Sequence, residues 1–308
     1  RILIDEELWD RYSRAGIEGV REHYSWRAHV EHYLSAVGPL LEQDVDDLTE
    51  APWRSAVGRS LQRQERMLIS DIDGTLVGDE PDGEGLHALA EALRENDVGF
   101  GVASGRSLEL VEKAIAEFGL PDPQVIVCDV GSEIRYGPER IPDRGYRGHL
   151  RVRWKPDEVR ATLLELGIEP QPDENQTPFK LSFFLDDGER LPEIEAALDE
   201  KGLRRHLIWS HGRFLDVLPH RAGKGKAIRY LADKWGLDPK KVAVAGDSGN
   251  DTEMLTARFP AIVVGNHEDE LAELRGRRGI VFADAPHARG VLEGLRRLGF
   301  VAGPDDAD

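Results

Sequence analysis

Cysteine is nearly absent from this chain, since Cys128 is the single one among 308 residues. One cysteine excludes an internal disulfide and a structural zinc site built from several cysteines. Cys128 lies in the apolar segment 125–130, where we expect a buried core thiol.

Long apolar runs are absent too. No stretch approaches the ~18 consecutive apolar residues of a membrane-spanning helix, and no secretory leader, charged and then apolar, opens the sequence. These absences predict a cytoplasmic protein that does not bind membranes.

Basic residues are few, with 40 Lys and Arg against 58 Asp and Glu, so the formal net charge is −18. Nucleic-acid backbones and anionic membrane surfaces are bound by clustered cations, so the protein is not expected to bind either in general. A small anionic substrate is compatible with this charge if its site is locally positive. The length allows two domains, or one domain with a large insertion.

From residue 67 onward, apolar runs alternate with helical windows, which predicts a doubly wound parallel sheet of the α/β class. The predicted strands are 67–73, 98–104, 124–130, 241–247, 261–265 and 280–283. The predicted helices between them are 84–96, 107–118, 226–235, 251–257, 268–275 and 287–298. Between the third and fourth strands, the pattern predicts a small α+β lid with helices at 156–166 and 190–201 and strands at 180–186, 206–210 and 213–218.

The most informative stretch is an apolar run that ends in Asp71 and Asp73. This is typical of a buried parallel strand, and open α/β sheets bind ligands at the carboxyl ends of their strands. Two carboxylates this close need a cation, a proton or hydrogen-bond donors if they are buried, and a divalent metal ion meets that need. A hairpin turn at Asp73-Gly74 is an alternative, but no alternating strand follows. A calcium loop is disfavoured because Leu76 and Asp82 stand where that loop needs Gly and Glu.

Two other predicted strands also end in polar residues. Ser104 follows the second strand and precedes a helix, so its hydroxyl is either an anion ligand or an ordinary N-cap. Asp247 and Asp251 follow the fourth strand, and hard oxygen ligands of this kind suit Mg²⁺. An N-cap explains one of these two carboxylates but not both.

A lysine between two glycines opens another predicted helix. Lys224 lies between Gly223 and Gly225, which allow the backbone to approach a ligand and so favour Lys224 over Lys226 as a phosphate contact. Either lysine could instead be a solvated surface charge. The segment is not a Walker loop, because it lacks the earlier glycine and the following Ser or Thr.

Together these residues resemble the four motifs of the haloacid dehalogenase-like phosphatase superfamily. The motifs are Asp71-x-Asp73-Gly-Thr, Ser104, Lys224 and Gly246-Asp247-x-x-x-Asp251, in that order, and the resemblance covers residues 66–300. It implies a Rossmann-like core at 66–137 and 219–308, with an inserted α+β cap domain of the C2 type at 138–218.

The resemblance also implies a mechanism and a set of site residues. Asp71 would attack phosphorus to form an aspartyl-phosphate, and Asp73 would protonate the leaving oxygen and then activate water. The implied phosphate-binding residues are Ser104, Gly105, Lys224 and Asn250. The implied substrate-binding residues are Arg106, Glu133 and Lys180. The implied Mg²⁺ site comprises Asp71, Asp73 through its carbonyl, Asp247 and Asp251.

Further segments narrow the resemblance to the sucrose-6-phosphate phosphatase family. They are 69–73, 77–79, 130–134, 178–182, 216–219 and 246–251. Gly74 is a departure, because that family often has Asn at this position. The implied reaction is Mg²⁺-dependent hydrolysis of sucrose 6-phosphate, a small-molecule substrate. Two alternatives stay open: a related phosphatase acting on mannosyl- or glucosyl-3-phosphoglycerate, and a non-catalytic regulatory domain.

Residues 18–34 resemble the closing helices of a retaining glycosyltransferase, as in sucrose-phosphate synthase. We therefore expect a helical segment at 1–41 and a linker at 42–65. The implied partner is an upstream glycosyltransferase domain of the same polypeptide.

Overall fold

The computed structural model describes residues 6–19, 30, 61, 63–80, 82–210 and 212–303. The chain forms two compact units, residues 1–56 and 57–308. In the first unit the described helix is α1 (Glu6–Gly19), which lies within the predicted helical segment. Most of the remaining segment 1–41 and of the predicted linker 42–65 lies outside the described residues.

The described part of the second unit contains eleven strands and eight further helices. The strands are β1 (Arg66–Ser70), β2 (Val98–Ala103), β3 (Val125–Cys128), β4 (Glu133–Tyr136), β5 (Ile141–Pro142), β6 (Leu181–Phe184), β7 (Arg205–Ser210), β8 (Phe214–Pro219), β9 (Val242–Gly246), β10 (Ala261–Val263) and β11 (Ile280–Phe282). The helices are α2 (Gly83–Glu95), α3 (Leu108–Phe118), α4 (Arg144–Arg151), α5 (Pro156–Glu165), α6 (Leu191–Glu200), α7 (Lys224–Trp235), α8 (Thr252–Leu255) and α9 (His287–Arg297).

Eight strands form the main sheet in the order β11-β10-β9-β1-β2-β3-β4-β5. The first six are parallel, and β4 and β5 add an antiparallel edge. The central strands are apolar without alternation because both faces of the sheet are covered. Leu68 and Ile69 illustrate this, since these neighbours point to opposite faces and both are fully buried.

Helices cover the two faces of the main sheet. Leu89 of α2 and Val291 of α9 belong to the hydrophobic cluster on one face, and Tyr146 of α4 and Ile228 of α7 belong to the cluster on the other. Burying a side chain the size of leucine contributes roughly 1.5–3 kcal/mol, so these faces hold the helices firmly in place. The predicted α/β fold, with helices on both faces, is confirmed.

The inserted segment folds around a second sheet, with the antiparallel order β6-β8-β7. Helices α5 and α6 pack against one of its faces and enclose a separate core that contains Phe183, Leu198 and Val217. The predicted α+β insertion is confirmed. Its boundaries at 138 and 218 stay a prediction, because Tyr146 and Leu150 of α4 pack into the core of the main sheet.

The structure corrects three details of the predicted fold. The sheet is mixed rather than purely parallel, because the chain reverses direction after β3 and adds β4 and β5 as antiparallel strands. The predicted helix at 268–275 is a 3₁₀ segment, Asp269–Leu274, and the one at 251–257 is the short helix α8. Within the described part of the chain, no helix combines the length and the apolarity that crossing a bilayer requires.

Candidate active site

Three loops at the carboxyl edge of the main sheet bring the predicted site residues together. In the sheet register, Ser70 of β1 pairs with Val102 of β2 and with Ala245 of β9, so these three strands end side by side. Asp71, Ser104 and Asp247 follow those ends. The rule that parallel strands present their ligand sites at this edge therefore holds for this sheet.

Lys224, the first residue of α7, lies buried among acidic side chains. Its Nζ is 3.0 Å from Asp71 Oδ2 and 2.8 Å from Asp251 Oδ1, and it donates to Asn250 Oδ1 at 3.0 Å. Burial disfavours the ammonium form, but the carboxylates of Asp251 and Asp71 outweigh it and raise the pKa of Lys224 above its ordinary value. Lys224 is therefore a buried, charged lysine aimed at the predicted nucleophile.

Both carboxylate oxygens of Asp251 accept hydrogen bonds from neighbouring groups. Oδ1 accepts from Lys224, and Oδ2 accepts from the backbone N–H groups of Asp247 and Ser248 at 3.1 and 3.4 Å. Asp251 thus fixes both the lysine and the loop that carries Asp247.

Asp71 has one carboxylate oxygen with no partner. Asp71 Oδ1 is buried and accepts no hydrogen bond among the described residues, and ligand oxygens of Asp71, Asp247 and Asp251 lie within 4.8 Å of one another. Burial, and then the charge of Asp251, raise the pKa of Asp71 well above its ordinary value. Burial raises the pKa of Asp247 to about 6. An orphaned anionic oxygen beside further carboxylates is the donor set that a hard divalent cation would satisfy.

Thr75 and Gly74 position Asp247 from the β1 loop. Thr75 Oγ1 donates to Asp247 Oδ1 at 2.6 Å. Gly74 has φ +74°, and a Cβ there would lie 2.2 Å from Asp247 Oδ2, so a side chain at this position would require the Asp247 carboxylate to move. The Gly74 carbonyl accepts from Asn266 Nδ2 at 2.7 Å and lies 2.9 Å from His287 Nδ1. Sequence reasoning missed Thr75, Asn266 and His287 as supports of the site, although Thr75 belongs to the first motif.

The Asp73 side chain forms an ion pair with Arg106. Arg106 donates to Asp73 from Nε at 2.8 Å and from Nη2 at 2.6 Å, and this hydrogen bonding raises the pKa of Arg106. The Asp73 side chain is 52% exposed. The two motif carboxylates therefore have different environments, one buried beside a lysine and the other half-exposed on an arginine.

The other predicted phosphate-binding residues lie at the same edge of the main sheet. Ser104 is fully buried, and its Oγ accepts from the Arg106 N–H at 3.1 Å. Gly105 and Asn250 line a cavity that opens at this edge.

The loop after β3 has an unusual backbone that the sequence did not predict. Asp129, Val130 and Gly131 have φ values of 49°, 56° and 84°, and a β-branched residue is seldom found in this region. The N–H of Asp129 donates to the Arg106 carbonyl at 2.8 Å. A Cβ at Gly131 would lie 2.2 Å from the Gly223 carbonyl carbon. The strained loop therefore packs between the Ser104 loop and the start of α7.

A cavity of about 480 Å³ lies between the main sheet edge and the inserted sheet. Its lining includes seven of the residues predicted for the site, namely Asp71, Asp73, Gly105, Arg106, Lys180, Asp247 and Asn250. Ser104, Lys224 and Asp251 lie buried beneath it. The inserted segment and the core thus enclose one site.

On the inserted side, the polar groups form their own network. Lys180 Nζ is 3.1 Å from Asp129 Oδ1, and Ser182 Oγ donates to Asp216 Oδ1 at 2.5 Å. Burial raises the pKa of Asp129 and of Asp216, while the charge of Lys180 opposes both shifts. Sequence reasoning missed Asp129 and Asp216.

Glu133 lies beside the cavity rather than on its surface. It forms ion pairs with Arg135 at 2.8 Å and with Arg147 at 2.7 Å, and it is not among the residues that line the cavity. Its predicted contact with substrate stays a prediction.

The doubly wound core, the inserted α+β segment and the four motifs at one sheet edge define a haloacid dehalogenase-like hydrolase. The sucrose-phosphatase of Synechocystis sp. PCC6803, solved in complex with sucrose and phosphate, has the same fold. It superposes with a TM-score of 0.70 at 30% identity, over 77% of this chain and 98% of that chain.

The sequence comparisons identify the family. The model of the sucrose-6F-phosphate phosphohydrolase family matches residues 64–299. Probable sucrose-phosphatase 3a of Arabidopsis thaliana is 33% identical over 258 residues, which cover 78% of this chain and 60% of the relative. Mannosylfructose-phosphate phosphatase of Agrobacterium fabrum is 32% identical over 243 residues, which cover 76% of this chain and 97% of that protein. The chain belongs to the sucrose-6F-phosphate phosphohydrolase family, and its match spans about 60% of the length of the plant relative.

Proposed function

We propose that this chain is a Mg²⁺-dependent phosphatase that hydrolyses sucrose 6-phosphate to sucrose and phosphate. The observation that carries the proposal is the cavity, which brings a buried carboxylate with a free oxygen, Asp71, opposite a cap that supplies a lysine, Lys180. Family membership supports the substrate, because the matching family is that of sucrose-6F-phosphate phosphohydrolase and the similar proteins include sucrose-phosphatases.

In the first step, an Asp71 carboxylate oxygen attacks phosphorus, and the bond from phosphorus to the sugar oxygen breaks. Asp73 gives its proton to that sugar oxygen, so sucrose leaves as a neutral alcohol. In the second step, Asp73 takes a proton from water, the hydroxide attacks phosphorus, and the aspartyl–phosphate bond breaks to regenerate Asp71.

The phosphoryl oxygens need donors that do not have to reorganise during the reaction. Lys224 is buried and held by Asp251. Ser104 and Gly105 lie in the loop that joins β2 to α3. Asn250, already bonded to Lys224, completes this group. We propose these four residues as the phosphate-binding residues.

The residues that would hold Mg²⁺ are Asp71, Asp247 and the Asp73 carbonyl, with Asp251 fixing the loop. The fit rests on the unpartnered Asp71 oxygen and on the raised pKa values of the buried carboxylates. When bound, the cation offsets the negative charge of carboxylate and phosphate, which allows two anions to come together.

We propose that specificity for the sugar lies with Arg106, Lys180 and Glu133. Lys180 is on the cavity surface and already bridges to Asp129, and Arg106 faces the same space. Glu133 does not line the cavity, so it would influence the substrate indirectly, through its ion pairs with Arg135 and Arg147.

The deciding experiment measures phosphate release from a panel of substrates with Mg²⁺. The panel contains sucrose 6-phosphate, mannosylfructose phosphate, and mannosyl- and glucosyl-3-phosphoglycerate. We expect the highest kcat/KM with sucrose 6-phosphate, and a different leading substrate would overturn the assignment. Asp71→Asn should abolish release, whereas Asp157→Asn, at an exposed carboxylate of α5 that does not line the cavity, should not. Absence of turnover on every member would favour the regulatory domain instead.

The division into a core at 66–137 and 219–308 and a cap at 138–218 belongs to this proposal, as does a glycosyltransferase domain upstream in the same polypeptide. Expression of residues 57–308 alone tests whether the helical segment that resembles a glycosyltransferase contributes to the phosphatase. If these residues keep the full kcat/KM, the phosphatase works without that segment.

A further inference from the structure

A basic groove lies along α7, and none of its lining residues lines the active-site cavity. It has a volume of about 880 Å³, within the range of small-molecule sites. Its lining residues are Gly145, His149, Arg204, His220, Arg221, Lys226, Arg229, Tyr230, Asp233 and Lys234. Five of them are lysine or arginine and one is a carboxylate. This concentration is unexpected in a chain whose net charge is −18, and the proposed phosphatase reaction does not use it.

Several of these cations are not neutralised locally. Arg204 and His220 are exposed and make no ion pair or side-chain hydrogen bond with the described residues. Arg221 is exposed too, and within the described ranges its guanidinium contacts His149 alone, through the carbonyl at 3.3 Å and Nδ1 at 3.4 Å. The single lining carboxylate, Asp233, pairs with Arg258 outside the groove.

The remaining cations have acidic partners. Lys234 Nζ is 2.7 Å from the buried Asp143 Oδ2, and Lys226 and Arg229 share Glu253 Oε1, at 3.4 and 3.8 Å. Burial, followed by the charge of Arg221, lowers the pKa of His149. Burial also lowers the pKa of Lys226, with Arg229 adding to the effect. Arg204 and Arg221 have no acidic partner among the described residues, and their charges give the groove a positive potential.

We propose that this groove is a second anion site, which binds a phosphorylated small molecule with at least two phosphate charges. Arginine predominates over lysine there, and the guanidinium group matches phosphate oxygens with two parallel donors. The Tyr230 and His149 rings, 5.4 Å apart, form an aromatic wall that suits an organic group attached to the phosphates. A nucleoside diphosphate has this combination.

The test titrates the full chain with trinitrophenyl-ADP and follows the probe's fluorescence. We expect saturable binding that weakens as salt rises, because the contacts are charged. Arg204→Ala with Arg221→Ala should weaken binding about tenfold or more, since two charge-assisted contacts are lost. The matched control, Arg277→Ala with Arg278→Ala, removes the same charge from an exposed pair elsewhere and should leave binding unchanged.

Three outcomes would overturn the proposal. Equal weakening by the control pair would mean that the probe responds only to overall charge. Loss of binding in Arg106→Ala with Lys180→Ala would place the probe in the active-site cavity. Displacement of the probe by a poly-glutamate peptide, but not by ADP, would make the groove a surface for an acidic protein. Phosphate release by the Arg204 and Arg221 variant should stay at the wild-type rate and shows that the variant is folded.

Discussion

Arg106 holds both carboxylate oxygens of Asp73, at 2.8 and 2.6 Å. The same arginine donates its backbone N–H to Ser104 Oγ, so one residue connects the second motif with the proposed proton shuttle. Both Asp73 oxygens accept from Arg106 here, whereas the proposed first step needs one of them to reach the sugar oxygen. Binding of substrate must therefore loosen this pair before the sugar oxygen can receive a proton.

Arg106→Ala should lower kcat on sucrose 6-phosphate by about tenfold or more, because general acid–base groups contribute ~10²–10⁴-fold and depend on their position. The loss should be smaller on p-nitrophenyl phosphate, whose leaving group departs without a proton. Arg106→Lys should restore only part of the rate, since lysine cannot make the two parallel bonds. Steady-state kinetics on both substrates check this, and equal losses on both would show that Arg106 does not act through Asp73.

Lys224→Met should destabilise the fold by about 3–5 kcal/mol, because it leaves the carboxylates of Asp71 and Asp251 buried without their cation. Both partners of the lysine are almost completely buried. The control is Lys226→Met, two residues along α7, where the half-buried lysine pairs with Glu253. That change should cost no more than about 1 kcal/mol. Urea unfolding of both variants gives the comparison, and similar costs would contradict the buried network.

Gly74→Asn should lower both kcat and the apparent affinity for Mg²⁺. Asparagine tolerates a positive φ, but its Cβ would collide with Asp247 Oδ2, so the carboxylate must move. Gly202→Asn is the matched control, because that glycine has φ +64° and open space around its Cα. A Mg²⁺ titration of phosphate release separates the two variants. Normal Mg²⁺ dependence in Gly74→Asn would show that the close approach is dispensable.

Asp247 should make the metal-free protein less stable as the pH rises. Its folded pKa of about 6 lies above the ordinary 3.8, so the folded state keeps a proton between these values that the unfolded chain has lost. The free energy of unfolding therefore falls over this window, by about 3 kcal/mol for a shift of about two units, and stays low above it.

The measurement for Asp247 compares unfolding of wild type and Asp247→Asn between pH 4 and 7 with a chelator present. The stability difference between them should change through this window, and saturating Mg²⁺ should remove the wild-type loss at pH 7, because the cation binds the ionised carboxylate. A pH-independent difference would contradict the assigned burial cost.

The predictions that the structure confirmed rested on local sequence patterns. Buried strands are apolar runs, and polar residues at their ends, such as Asp71 and Asp247, are brought together by parallel pairing. The contacts that no pattern revealed join distant loops. Thr75 meets Asp247 across 172 positions, and His287 reaches Gly74 across 213.

The strained loop shows the same limit. Gly131 was the one sequence signal of a left-handed backbone there, and Asp129 and Val130 adopt it only because packing between two motif loops forces them. Sequence patterns likewise did not reveal that two arginines, Arg135 and Arg147, hold the carboxylate of Glu133, whose contact with substrate stays a prediction. Side-chain partners of this kind depend on tertiary packing, which local patterns do not encode.

Cys128 is fully buried in β3, and burial raises the pKa of its thiol. Thiol reagents attack the thiolate, so this cysteine should react slowly in the folded protein. The wild-type chain is therefore a ready background for site-specific labelling. Cysteines placed at the exposed positions Leu110 on α3 and Leu164 on α5 would carry a dye pair whose energy transfer reports the distance between core and cap as sugar phosphate binds.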